Sequence, residues 1–86
     1  MKLEDLPNVG PILASELRAA GIASAEQLRA TGAKAAWLQL REVNPERHCS
    51  QSLLALEGAL RGVRWMALEP AERQRIASQA RSLQTS

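Results

Sequence analysis

The fold is decided near the beginning of the chain, in the stretch LPNVGPILASEL at residues 6–17. Its proline–asparagine pair stops a short opening turn. Pro11 suits the first position of a helix because its missing N–H has no helical partner there in any case. That helix ends before Gly21, the residue type that most often adopts the left-handed conformation after a helix. The stretch therefore predicts a tight turn that leads into a helix over residues 11–20.

This turn resembles the helix-hairpin-helix motif, in which a short hairpin joins two helices. The hairpin needs residues that accept a positive φ, and Gly10 and Asn8 do so most readily. Val9 between them would fix the hairpin onto the core. The N–H groups at the start of the next helix are free, and with the helix dipole they form a small anion site. In DNA-binding members of this class, such a site holds a backbone phosphate without contacting the bases.

The candidate phosphate site comprises the hairpin and two basic residues expected beside it: Asn8, Val9, Gly10, Ile12, Leu13, Arg18 and Lys34. The alternative is a hairpin that only packs against the core. Two departures favour that alternative, because Asn8 stands where a glycine is usual and Pro11 removes one N–H donor. Acidic residues also interleave with the basic ones around the hairpin.

The rest of the chain predicts a compact all-α domain. It contains 13 Leu and 15 Ala but only 3 Ile, 3 Val and 2 Thr, a composition that favours helices over sheets. Ser24 and Gln27 form a capping box. Asn44-Pro45 caps and turns, and Pro70 starts the last helix. The expected elements are a polar loop or single turn at residues 46–50, no β-sheet, and five helices near residues 11–20, 25–31, 33–43, 51–62 and 70–82.

Apolar residues recur at helical spacing in the predicted helices. The stripe of the third helix consists of Ala33, Ala36, Trp37, Leu40 and Val43. Trp37 is therefore expected in the core. In the fourth helix Leu54 lies off the main stripe, so this helix should be buried on more than one side. Gly58 in the middle of that helix costs about 1 kcal/mol relative to Ala, and its expected use is the close approach of another helix.

Charge and composition exclude several classes of protein. The 11 Lys and Arg residues nearly balance 9 Asp and Glu residues, giving a net charge of +2, which argues against a binder held to DNA by bulk charge. No apolar run approaches the ~20 residues that span a bilayer, and the first residues lack the apolar core of a signal peptide. Cys49 is the single cysteine, which suits a reducing cytoplasm. His48 and Cys49 alone cannot build a zinc site, and no catalytic or cofactor-binding pattern occurs, so we expect neither metal, cofactor nor enzymatic activity.

A second stretch, LALEGALRGVRW at residues 54–65, is followed by Leu68 and Pro70. Together with the hairpin and the Gly32-Ala33 pair before Trp37, it resembles the C-terminal domain of the TfoX/Sxy family. The resemblance covers about residues 3–82 of a single domain over residues 1–86. It implies a five-helix fold of helix-hairpin-helix or SAM-like type.

The resemblance also implies a role in regulating natural DNA transformation in bacteria, alongside the cyclic-AMP receptor transcription factor. TfoX proteins usually carry an N-terminal α/β domain as well, for which 86 residues leave no room. A standalone C-terminal domain either has lost the regulatory role or acts in trans.

Three hypotheses for function follow. The first is a non-enzymatic, cytoplasmic regulatory module that binds a protein partner, such as the transcription machinery or a separate TfoX N-terminal-like protein. Trp65, Arg61 and Arg64 form its candidate partner surface. The second is weak, sequence-independent DNA binding through the hairpin. The third is a homodimer, because so short a chain gains stability from burying more surface.

Overall fold

Helices account for nearly all of the regular structure, as the Leu- and Ala-rich composition requires. The computed structural model describes residues 1–44 and 50–85, with side chains as far as Leu83. No strand occurs within these ranges, so the predicted all-α class is confirmed. In chain order, the elements are a 3₁₀ turn at Leu3–Asp5, α1 (Pro11–Ala19), α2 (Ala25–Thr31), α3 (Ala33–Val43), α4 (Ser50–Arg61), a 3₁₀ turn at Trp65–Ala67 and α5 (Pro70–Thr85).

The predicted helix boundaries agree with the structure to within three residues. Ser50 was expected in the polar loop but is the first residue of α4. The rest of that predicted loop, from Glu46 to Cys49, lies outside the described residues. The first 3₁₀ turn, the hairpin and α1 follow one another in a way that is consistent with a helix-hairpin-helix arrangement. No helix in the described part of the chain is both long and apolar enough to cross a membrane.

The helix ends use the expected capping residues. The Oγ of Ser24 accepts a hydrogen bond of 3.1 Å from the N–H of Gln27. The side chain of Gln27 reaches back as a capping box requires, but it accepts from the N–H of Ala23 at 2.6 Å and not from that of Ser24. Gly21 has a φ of 92°, and the N–H of Ile22 donates to the carbonyl of Leu17 at 2.8 Å. These bonds satisfy polar groups that α1 and α2 would otherwise leave unpaired.

The core lies around α3 and α4. Helices α1 and α2 contact α3, and α4 contacts both α3 and α5. Trp37 is fully buried, as its stripe predicted. Helix α4 is buried on more than one side, because the adjacent residues Leu53 and Leu54 are both buried. Val43 was expected on the buried stripe of α3, but it is 56% exposed at the last residue of the helix. The buried stripe therefore ends at Leu40.

Candidate functional site

The hairpin turns at Asn8, which has a φ of 68° and is the only residue other than glycine with a positive φ in the described ranges. Gly10 was expected to share this conformation, but its φ of −88° and ψ of −179° are extended. It serves instead as the N-cap of α1, with its carbonyl accepting from the N–H of Ala14 at 2.9 Å. One left-handed residue is enough to reverse the chain here. Val9 is 5% exposed and packs into the core as predicted.

The side chain of Asn8 joins the hairpin to the segment that follows α4. Its Nδ2 donates to the carbonyl of Val63 at 2.9 Å and to that of Ala55 at 3.4 Å. Its Oδ1 accepts from the N–H of Trp65 at 3.1 Å. All three bonds connect positions that are distant in the chain, and sequence reasoning did not find them. One signal in the sequence could have indicated them: Asn8 stands at a position where glycine is usual. Glycine would satisfy the positive φ equally well, so the amide of an asparagine indicates a further role.

Gly58 lies directly beneath this amide. A Cβ atom at this position would lie 2.6 Å from Nδ2 of Asn8, 2.8 Å from the carbonyl oxygen of Val63 and 3.3 Å from the nitrogen of Trp65. The close approach expected at Gly58 is therefore real, but the expected neighbour was wrong. The groups that approach Gly58 are the Asn8 side chain and the backbone of residues 63–65, not another helix.

Trp65 borders two surface clefts on this side of the molecule. It is half-buried and packs against the core at the start of the second 3₁₀ turn. The first cleft, of about 420 Å³, is lined by Asn8, Leu13, Gln51, Ser52, Ala55, Arg64 and Trp65. The second, of about 320 Å³, lies between α4 and α5 and is lined by Leu54, Trp65, Pro70, Arg73, Gln74 and Ala77. Two of the three predicted partner-surface residues, Trp65 and Arg64, thus meet at the first cleft.

Arg61, the third of those residues, forms ion pairs away from both clefts. Its guanidinium lies 3.1 Å from Glu72 on α5 and 3.7 Å from Glu57 one turn earlier on α4. The pair with Glu57 has the i,i+4 spacing of neighbours on one face of a helix. Hydrogen bonds to Glu72 from Arg75 first and from Arg61 second lower the pKa of the Glu72 carboxyl. Arg61 therefore links α4 to α5 and does not line either cleft.

The structure separates the residues of the candidate phosphate site. Arg18 lies seven positions beyond Pro11, about 10 Å along α1 at the helical rise. Its guanidinium donates to both carboxylate oxygens of Glu4, at 2.7 and 3.0 Å. This pairing lowers the pKa of Glu4 from 4.5 to about 2. Lys34 is exposed in the first turn of α3.

Two apolar residues complete that predicted set. Ile12 is 65% exposed near the start of α1, and Leu13 is half-buried and lines the first cleft. The cation that shares a cleft with the hairpin is Arg64. This cleft, the third on the surface, is lined by Glu4, Leu6, Pro7, Asn8, Val9, Gly10 and Arg64. The carboxylate of Glu4 lines the same cleft, where it is bound to Arg18.

No group of three or more potential metal ligands occurs in the ranges that the structure describes. His48 and Cys49 lie outside those ranges. The described residues instead define an all-α domain. Its hairpin is bonded through Asn8 to Val63 and Trp65, in the segment between α4 and α5. Residues 1–80 match the family described as the TfoX C-terminal domain, and the chain belongs to this family.

Similar proteins agree with this assignment. The chain is 42% identical over 82 residues to Protein Sxy of Escherichia coli strain K12, a match that covers 95% of the chain and 39% of Sxy. The chain thus spans about two fifths of the length of that relative.

Two crystal structures of Listeria monocytogenes proteins, one called uncharacterized and one of unknown function, have the same fold. The first, a triclinic form, has a TM-score of 0.89 and 36% identity, and the match covers 98% of this chain and 94% of that one. The second, a tetragonal form, has a TM-score of 0.86 and 38% identity, with coverage of 95% and 99%.

Proposed function

We propose that this domain is a non-enzymatic regulatory module of bacterial competence that binds a protein partner through the surface around Trp65. Membership of the TfoX C-terminal domain family and the similarity to Sxy support the regulatory role. The observation that carries the binding role is the placement of Trp65, half-buried between two clefts and held by a hydrogen bond from its backbone N–H to Asn8.

A tryptophan in this position suits protein recognition. Tryptophan and arginine are the residue types that contribute most to binding at protein interfaces, especially beside pockets that a partner can fill. The bond from the Trp65 N–H to Asn8 fixes the backbone of the segment before a partner arrives, which lowers the entropy cost of binding. Arg64 adds an exposed cation at the edge of the same cleft.

The test uses the bacterium that carries this chain. Trp65→Ala replaces the large side chain between the clefts, and Met66→Ala is the matched control, because Met66 is 66% exposed next to it and lines neither cleft. We expect Trp65→Ala to lower the frequency of natural transformation at least tenfold and Met66→Ala to leave it near the wild-type value. Thermal melting of both purified variants checks that they fold. A folded Trp65→Ala protein that supports normal transformation would contradict the proposal.

Weak DNA binding at the hairpin is the second candidate function. It is favoured by one observation, the presence of Arg64 in the cleft that also contains Gly10 at the start of α1. A phosphate bound there would contact the free N–H groups of the first turn and the guanidinium of Arg64. Glu4 in the same cleft opposes this binding.

Duplex DNA binding is measured at several salt concentrations, since phosphate contacts give a negative slope of log affinity against log salt. Arg64→Gln should weaken the binding severalfold, whereas Arg73→Gln, which changes a cleft away from the hairpin, should not. Absence of any association at low salt would exclude this candidate. Arg18 is unsuitable as a test residue because its substitution also releases Glu4.

A further inference from the structure

The cleft between α4 and α5 has a largely apolar floor. Leu54 of α4, Pro70 and Ala77 of α5, and the ring of Trp65 line it. Its volume of about 320 Å³ admits an aliphatic or small aromatic side chain. A duplex nucleic acid projects no apolar side chain of that size, and its largest exposed apolar group is the thymine methyl. This cleft therefore favours a protein as its occupant.

The charged residues that line the two clefts at Trp65 have one sign. Arg64 lines the first cleft and Arg73 the second, and no carboxylate lines either of them within the described ranges. Neither arginine forms an ion pair with a described residue, although Arg61 and Arg75 nearby are both bound to Glu72. The Nε of Arg73 is enclosed by the protein, so an external acid would meet the terminal nitrogens of this guanidinium. This positive charge is therefore available to an external acid.

The indole of Trp65 adds a third donor. No described group accepts a hydrogen bond from its N–H, and this nitrogen is not among the fully enclosed polar atoms. Tryptophan N–H groups in contact regions usually find an acceptor. A partner could therefore place an acceptor against the indole N–H as well as against the two guanidinium groups.

We propose, on the basis of the proposed function, that the two clefts at Trp65 bind an acidic, apolar peptide segment of the partner protein. One apolar side chain of that segment enters the cleft between α4 and α5 and packs on Trp65. Flanking Asp or Glu carboxylates bind Arg64 and Arg73. The charge complementarity selects against basic segments, because like charges placed together at an interface repel each other.

A library of random short peptides, selected on the wild-type domain and counter-selected on Trp65→Ala, tests this chemistry. We expect the enriched peptides to carry an apolar residue flanked by Asp or Glu. The enriched consensus peptide is then synthesised, and its affinity is measured by fluorescence anisotropy. Arg64→Gln and Arg73→Gln should each weaken it about 1.5- to 5-fold, the range of an exposed ion pair, and should reduce its dependence on salt.

Arg75→Gln is the matched control, since Arg75 lies on α5 with Arg73 but pairs with Glu72 and lines neither cleft. The affinity of the Arg75→Gln variant for the consensus peptide should equal that of the wild type. Peptides that depend on Trp65 but are basic or uncharged would overturn the acidic chemistry and leave the proposed protein binding intact. The absence of any Trp65-dependent peptide would overturn both. Sedimentation that shows a dimer dissociated by Trp65→Ala would identify a second copy of this chain as the occupant and would also overturn the proposal.

Discussion

The side-chain amide of Asn8 lies over Gly58 so closely that a Cβ atom on the glycine would stand 2.6 Å from Nδ2. The same atom would stand 2.8 Å from the carbonyl oxygen of Val63, which receives one of the Asn8 hydrogen bonds. A carbonyl oxygen of the main chain cannot turn away as a flexible side chain can. The hairpin can approach α4 only because position 58 has no side chain.

Substitution of Gly58 should therefore destabilise the domain even where it favours the helix. Alanine improves helix propensity by about 1 kcal/mol, but at Gly58 we expect a net loss because its Cβ meets the Val63 backbone. Gly58→Leu should lose more, roughly 1–3 kcal/mol or above, from overpacking. Urea unfolding followed by circular dichroism measures both changes.

Gly10 provides the control for this experiment. Apart from Gly10 itself and its two chain neighbours, no residue has an atom within 4 Å of the position that a Cβ would occupy there, and the φ of Gly10 is negative. Serine is also a preferred N-cap residue, so Gly10→Ser should be as stable as the wild type or more stable. Stabilisation by both Gly58 substitutions would show that the contact with Asn8 does not form.

Asn8 should be the sensitive residue of the hairpin. Asn8→Gly keeps the positive φ but removes the three side-chain hydrogen bonds, so we expect a loss of about 1–3 kcal/mol. Asn8→Val should lose more because a β-branched residue resists this φ. Gly10→Val should cost little by comparison, since its backbone is extended in open space. Equal losses for valine at the two positions, measured by thermal melting, would contradict this account.

The pair of Arg18 and Glu4 predicts how stability varies with acid. Arg18 lowers the pKa of Glu4 from 4.5 to about 2 in the folded state, so folding favours the charged form. The resulting stabilisation is complete above pH ~4.5 and is lost as the pH falls through about 2. The difference in Tm between the wild type and Glu4→Gln should be largest near neutral pH and should shrink across this interval. A carboxyl titration of Glu4 by NMR with its midpoint near 4.5 would argue against the pair.

The two tryptophans should respond differently to a solvent quencher. Trp37 is fully buried and Trp65 is half-buried. Acrylamide should therefore quench a component of the fluorescence that disappears in Trp65→Phe, and the remaining Trp37 emission should be blue-shifted and resistant. Quenching of comparable strength in Trp65→Phe and the wild type would place Trp37 nearer the surface than the structure does.

Local patterns were sufficient to predict the helices. The Ser24 cap and the left-handed Gly21 act through hydrogen bonds to residues a few positions away, and Pro70 starts α5 because its missing N–H needs no partner in the first turn. Their consequences can therefore be inferred from adjacent sequence. Trp37 followed from helical spacing alone. The exposure of Val43 could not be predicted in this way. Helical spacing indicates which face a residue occupies, but not whether another element covers that end of the helix.

The contacts that shape the candidate surface depend on distant residues. Asn8 bonds to Val63 and Trp65 across 55 and 57 positions, and no local pattern pairs these residues. The same limit applies to Arg18, whose partner Glu4 lies in the opening turn, and to Gly10, whose extended backbone follows from Asn8 alone making the turn. The sequence indicated that Trp65 and Arg64 belong to one surface, and the structure adds Arg73 beside the same tryptophan.

The bond between Asn8 and the Trp65 backbone links the hairpin directly to the segment that carries the tryptophan. Anything that binds Trp65 only in this arrangement also raises the free energy needed to open the first ten residues, by the mass action of the ligand. If an anion bound at the start of α1, reciprocal linkage would make the anion and the Trp65 ligand strengthen each other's binding by one and the same factor. Amide hydrogen exchange in the hairpin would then report occupancy of a surface on the opposite end of the sequence. A single asparagine would couple two sites that the chain keeps more than fifty residues apart.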